Sequence, residues 1–370
     1  MNTIDMKKLL IVVGTRPNYI KITQFKRIAE HQFKNQFDIK IVHTGQHFDK
    51  AMADDFFTQL DIYPDYALHI PQSSANSQIG EIIIRLEEVI NEFKPNMMIV
   101  PGDVNSTLAA ALTANKMQIP LAHLESGLRS FDRTMPEEIN RILVDEITDF
   151  YFVTEQSGVD NLIKEGKPEA QIHFVGNTMI DTLFHFEKTI VNQNLLSEYK
   201  VEKGNYILMT IHRPATVDNK KGLEDLLTLI QSLTINRRVI FPMHPRTLKN
   251  IKLNGLESAY NTIDNLVTAK PMDYFSFQNL IHNSALVLTD SGGIQEETTY
   301  KQIPCLTLRP NTERPSTIQI GSNTLLNFDQ QKIHTMVEQV FSGQYKKGKV
   351  PKLWDGKATE RILNVILNAL

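Results

Sequence analysis

The chain reads as α/β: two doubly wound domains, each a parallel sheet with helices on both faces. Three observations point there. Short, continuous apolar runs alternate with longer helical patterns, as expected of strands buried on both sides. The alternation comes in two series with a polar stretch between them. The chemically active residues fall directly after the apolar runs, where open parallel sheets bind ligands.

The first series comprises LLIVVG at 9–14, IKIVHTG at 39–45, MMIV at 97–100, LAHLE at 121–125 and FYFVT at 150–154. The second comprises YILMTIH at 206–212, RVIFPMH at 238–244, ALVLTD at 285–290 and CLTL at 305–308. Helical patterns occupy 18–29, 107–116 and 221–233. The break falls near 178–205, where EKTIVNQNLLSEYKVEKGN intervenes. The domains expected are 1–180 and 181–355.

At 370 residues, with 41% hydrophobic and 22% charged side chains, the chain has enough apolar material for two cores. A net charge of −3 gives no electrostatic case for nucleic acid or an anionic membrane. No apolar run is long enough to span a bilayer. MNTIDMKKLLIVVG resembles the start of a signal peptide, but it runs into GTRP and a helix rather than a cleavage site. The single cysteine, Cys305 in IPCLTL, reads as a buried strand residue and excludes an internal disulfide framework. A cytoplasmic protein is expected.

LTDSGGIQEE at 288–297 is the richest segment. Asp290, Ser291, Gly292 and Gly293 end an apolar run and open a helix. Glycines let a ligand approach the backbone, and free amides at a helix start favour an anion. Glu296 and Glu297 follow one turn later, suiting a phosphorylated, hydroxyl-rich ligand. An ordinary capping turn would read the same way.

GTRPNYIK places Arg16 and Lys21 after the first run, with Pro17 able to start a helix. Cations at a helix start oppose its dipole, which favours an anion-gripping role. Asp103 in PGDVNST reads, from its segment alone, as a helix N-cap. HLESGLRS places Glu125 and Arg129 at a strand end, the carboxylate being either held by an arginine or acting as acid or base. In MPEEINR, Glu137 and Glu138 follow Pro136 as first-turn acids often do, with Arg141 a turn later. Together Asp103, Glu125 and Glu137 suit proton transfer at a sugar carbon. IHRP and MHPRT place His212 with Arg213 and His244 with Arg246 after two further runs. Neither forms HExxH or a Cys/His cluster, so no metal is expected. GxxxxGK[ST] and GxGxxG are absent. YFSFQNLI at 274–281 reads as a core helix with one aromatic able to lie on a flat base.

Taken in order, GTRP, TGQH, PGDVNST, HLESGLRSFDRTMPEEINR, VGNTMID, IHRP, LTDSGGIQEE and TERP resemble the non-hydrolysing UDP-N-acetylglucosamine 2-epimerases over essentially the whole chain. The resemblance implies a GT-B fold of two Rossmann-like domains with the active site in the interdomain cleft. It also implies a last helix, 356–370, packing back on the first domain. The implied reaction interconverts UDP-GlcNAc and UDP-ManNAc by elimination of UDP to 2-acetamidoglucal and re-addition. By resemblance Asp103, Glu125, Glu137 and His212 are catalytic. Arg16, Lys21, Ser291, Gly292 and Gly293 hold the diphosphate, Glu297 the ribose, Phe277 the uracil, and Arg314 the sugar. His47, Arg129 and His244 complete the substrate-binding set. No cofactor, no nucleic acid and no membrane are implied, and a homodimer is. Phe48 and Pro214 stand where many bacterial members have residues of an activating UDP-GlcNAc site. At those positions the chain resembles the archaeal-type subgroup and relatives acting on modified UDP-sugars.

Overall fold

The computed structural model describes residues 6–45, 56–71 and 73–370. The chain forms two compact units, Met1–His185 with Lys352–Leu370, and Phe186–Pro351.

Among the described residues the first unit holds a seven-stranded sheet in the order β3-β2-β1-β4-β5-β6-β7. Its strands are β1 (Lys7–Val13), β2 (Phe37–His43), β3 (Tyr66–Ala67), β4 (Met97–Pro101), β5 (Leu121–Leu124), β6 (Phe150–Val153) and β7 (Ile172–Phe174). The second unit holds six, in the order β10-β9-β8-β11-β12-β13. These are β8 (Tyr206–Thr210), β9 (Arg238–Pro242), β10 (Leu266–Ala269), β11 (Leu286–Thr289), β12 (Cys305–Leu308) and β13 (Asn323–Leu326). Every pairing is parallel. Both sheets share the winding of dinucleotide-binding folds, in which the strand order reverses beside the first strand. The reversal lies between β1 and β4 in one unit and between β8 and β11 in the other. Ligand sites form at such points, because the connections leave in opposite directions and open a crevice.

The interior strands are those the apolar runs signal. β1 and β4 are almost wholly apolar and buried. β3, β7, β10 and β13 carry no comparable run, and all four are sheet edges.

Seven helices matter below: α1 (Arg16–Ile22), α2 (Asn105–Lys116), α3 (Pro136–Glu146), α4 (Thr178–His185), α5 (Tyr274–Asn283), α6 (Gly292–Lys301) and α7 (Ala358–Ala369). The single helix expected over 18–29 is two, since α1 ends before Thr23 and another runs Gln24–Gln32. In α2, Ala109, Ala110, Ala111 and Ala114 are fully buried, so small side chains let it lie close on the sheet. Within the first unit α7 buries Ile362, Leu363 and Ile366. Its first turn is capped from α4, where Asp181 accepts Ala358 N–H at 3.0 Å and Thr359 N–H at 2.6 Å. Cys305 is buried in β12.

Candidate active site

In the first unit the polar residues gather at the β1/β4 reversal. Thr15 ends the turn after β1 and Pro17 helps open α1, as its locked φ allows. Lys21 falls in the last turn of this seven-residue helix. The dipole therefore favours Lys21, which removes the sequence argument that it opposes one. Lys21 Nζ lies 2.7 Å from Glu125 Oε2, and both side chains are buried. Glu125 follows β5 with φ +72°, a left-handed conformation unusual for a side chain of this size. Strain of this kind, on the order of 1 kcal/mol, persists where surrounding contacts over-determine it, and it gathers at functional sites. Glu125 is thus held by a lysine and not by Arg129.

Gly102 packs against this pair. Its φ is +70°, and a Cβ would sit 3.1 Å from Lys21 Nζ and 3.3 Å from Asn18 Nδ2. The positive φ favours glycine, and a side chain would press on both neighbours. Asp103 comes next and is not the N-cap of α2; Val104 is. The Asp103 carboxylate is taken by Arg141, whose other amino group holds Glu138. Glu138 is buried and also accepts Ser130 N–H, Ser130 O–H and Phe131 N–H. Glu137 is exposed on α3, one turn before Arg141 and on the same helix face. The structure thus brings Glu125 and Asp103 to neighbouring turns and puts Glu137 on the helix that grips Asp103. Arg16 is half-buried, its guanidinium 4.8 Å from the centre of the Phe56 ring. His47 and Phe48 lie outside the described residues.

Arg129 is buried, bonding Asp145 at 2.7 Å and Glu165 at 2.6 and 2.9 Å, which ties it to the scaffold of the first unit.

In the second unit Asp290 closes the β8/β11 reversal. One carboxylate oxygen accepts the amides of His212 and Arg213 at 2.9 and 2.8 Å. The other lies 2.9 Å from His212 Nδ1. Burial works to raise Asp290, but His212 and the two amides outweigh it and hold the carboxyl below its usual range. The His212 side chain itself is about half exposed, so a buried carboxylate presents an accessible imidazole. His244 is exposed and its Nδ1 caps the following helix through Arg246 N–H.

Ser291 precedes α6, whose first-turn amides have no partner within the helix. A Cβ on Gly292 would meet Glu313 Oε1 at 2.7 Å and Arg314 Nη1 at 2.8 Å. Arg314 is buried between Glu296, at 2.8 Å, and Glu313. Glu297 is enclosed by α5, with Tyr274 and Gln278 facing its carboxyl. Burial pushes it up to about 7 against the pull of Gln278, Lys301 and Tyr274. Phe277, on α5, is partly buried against the adjoining core.

The family model for UDP-N-acetylglucosamine 2-epimerase matches residues 29–367. The chain belongs to the UDP-N-acetylglucosamine 2-epimerase family. It is 38% identical over 365 residues to the enzyme of that name from Methanocaldococcus jannaschii, covering 97% of this chain and 98% of the relative. It is 39% identical over 324 residues to UDP-2,3-diacetamido-2,3-dideoxy-D-glucuronate 2-epimerase of Pseudomonas aeruginosa, covering 86% and 88%. The fold matches the crystal structure of the Methanocaldococcus jannaschii epimerase in complex with UDP-GlcNAc and UDP. There the TM-score is 0.87 at 37% identity, over 98% of this chain and 99% of that one. The epimerases of this family have the GT-B architecture, which the two Rossmann-like sheets share.

Sequence reasoning passed over His123, Asn140, Glu138, Arg141 and Asp145 as site-building residues. The available signal was spacing: Glu137, Glu138 and Arg141 sit at positions that share a helical face. Their likeness to ordinary first-turn acids concealed it.

Proposed function

We propose that the chain is a UDP-N-acetylglucosamine 2-epimerase, interconverting UDP-GlcNAc and UDP-ManNAc. The observation that carries this is the Lys21–Glu125 ion pair packed on Gly102, beside an Asp103 held by Arg141. Two carboxylates, each set in place by its own cation, suit abstraction of a proton from a weak carbon acid.

The reaction runs in two halves. A carboxylate takes the proton from carbon 2 while the bond from carbon 1 to the diphosphate oxygen breaks. The electron pair becomes the double bond of 2-acetamidoglucal, and UDP leaves with its oxygen's electrons. UDP then adds back at carbon 1, and a different acid delivers a proton to the opposite face of carbon 2. Asp103, Glu125 and Glu137 are the carboxylates assigned to these transfers. Arg16, Lys21, His212 and the Ser291–Gly292–Gly293 amides stabilise the departing diphosphate, where fixed donors count most. Glu297 takes the ribose and Phe277 lies by the uracil. Arg314, held by Glu296 and Glu313 through Nε and Nη1, contacts the sugar.

A second reading is favoured by the 39% identity to the Pseudomonas aeruginosa diacetamido-glucuronate epimerase: the same reaction on a modified UDP-HexNAc. A homodimer in the cytoplasm belongs to either reading. Incubation with UDP-GlcNAc in heavy water should place deuterium at carbon 2 of both epimers, followed by NMR. Parallel incubation with 3-acetamido and 6-deoxy UDP-sugars ranks the two substrates. Absence of exchange with every UDP-HexNAc tried would sink the assignment.

A further inference from the structure

His123 lies on β5 with no exposed surface, two residues before Glu125. Its Nδ1 is 2.7 Å from Asp145 Oδ1 and its Nε2 is 2.8 Å from the Gly102 carbonyl oxygen. A carbonyl can only accept. Asp145 also accepts Gly127 N–H at 2.9 Å and Arg129 at 2.7 Å. Burial works to raise this carboxyl, but His123 and Arg129 prevail and keep it below its usual range, hence ionised and accepting. The Gly102 carbonyl being an acceptor, that contact has the ring Nε2–H as its donor.

Gly102 is consequently gripped on two sides by one strand. Its N–H donates to Leu124 O at 3.1 Å, and its carbonyl receives His123. The next peptide begins Asp103, whose own carbonyl accepts Asn140 Nδ2 at 2.9 Å. Glycine tolerates either orientation of the peptide that follows it. Without a donor on its carbonyl, the 102–103 peptide is free to turn over, and Asp103 would swing with it.

We propose that His123 is a positioning residue for the epimerisation: its Nε2–H locks the Gly102–Asp103 peptide and so fixes the Asp103 carboxylate relative to Glu125. The proposal rests on the epimerase reading. Asp145 anchors the ring from α3, the helix that also holds Asp103 through Asn140 and Arg141.

Two conservative variants separate positioning from mere packing. In His123→Gln the amide Nε2 stands in for the ring Nε2 and can still reach Gly102. In His123→Asn the amide stands in for Nδ1 and can reach only Asp145. Displacing a reacting group by an ångström costs about 100-fold in rate. We expect kcat of His123→Asn to fall by about that factor, and His123→Gln to stay within about tenfold of the parent. Both should bind UDP within about twofold of the parent by calorimetry, since the change acts on kcat. Equal kcat losses in the two variants, or losses matched by weakened UDP binding, overturn the proposal. Should either variant not fold, nitrogen-15 NMR of histidine-labelled parent protein decides. It should show a proton on His123 Nε2, and a ring carrying its proton on Nδ1 alone refutes the assignment. That measurement needs no turnover, so it stays informative even if the parent fails to epimerise any UDP-sugar.

Discussion

Glu297 shows how far a single residue's chemistry was legible. Its place after the glycine turn marked it as a ligand contact, but nothing local signals that α5 would enclose it. That enclosure raises its carboxyl from 4.5 to about 7. The folded value exceeds the unfolded one. Between those two pH values the folded chain keeps a proton that the unfolded chain has lost. Stability then falls as pH rises through this window, by on the order of 3 kcal/mol from this group. Glu297→Gln removes the titration, so its melting temperature should gain on the parent as pH climbs from about 5 to about 8. UDP affinity should drop about tenfold or more, because an amide is a poorer acceptor for ribose hydroxyls than a carboxylate. Parallel melting curves across that range would count against the raised value. Arg141 illustrates the opposite limit. Its spacing on MPEEINR was visible, but its bond to Asp103 joins residues 38 apart in sequence, which no local pattern encodes.

At the scale of elements, burial decided what could be read. Strands flanked on both sides must be apolar throughout, so β1, β4, β5, β8, β9, β11 and β12 announce themselves. Edge strands meet one neighbour and keep a wet side. β10 is mostly half-exposed, and β7 wholly so, which leaves a mixed composition indistinguishable from loop. Helix ends depend on contacts distant in sequence. α7 has no capping bond from its own N-cap residue, Lys357. Its cap is Asp181, 177 and 178 residues away from the amides it accepts. Burial pushes this carboxyl up to about 6 while the amides of α7 pull the other way. Asp181→Ala should cost about 1–2 kcal/mol, the usual worth of a lost N-cap. Hydrogen exchange should localise the loss, with amides of 358–369 opening faster than those of β1 or β4. Uniform acceleration across the first unit would mean Asp181 supports the core and not this helix.

Over the whole molecule, the same winding occurs twice with different chemistry at each reversal of strand order. In the first unit the reversal holds Lys21, Glu125 and Gly102, with Asp103 beside them. In the second it holds Asp290, His212 and Arg213, with the α6 amides following. In the proposed reaction the acids for proton transfer all belong to the first unit, while the diphosphate draws on Arg16 and Lys21 from the first and on His212 and the α6 amides from the second. If the nucleotide is held chiefly by the second, substitutions should divide into two classes. Asp103→Asn and Glu125→Gln should lower kcat by about 100- to 10,000-fold, as loss of a general acid or base does. Their Kd for UDP should stay within about twofold, because neither acid contacts the nucleotide in the proposed reaction. Gly292→Ala should do the converse. Its Cβ would fall 2.7 Å from Glu313 Oε1 and 2.8 Å from Arg314 Nη1, so that either this buried ion pair or the start of α6 must shift. UDP affinity should fall more than about tenfold while UDP-saturating concentrations of substrate restore much of the rate. Calorimetry with UDP, set beside steady-state rates for all three variants, reads both quantities. A Gly292→Ala enzyme with normal UDP affinity would move the nucleotide away from α6, and with it the division of labour between the two sheets.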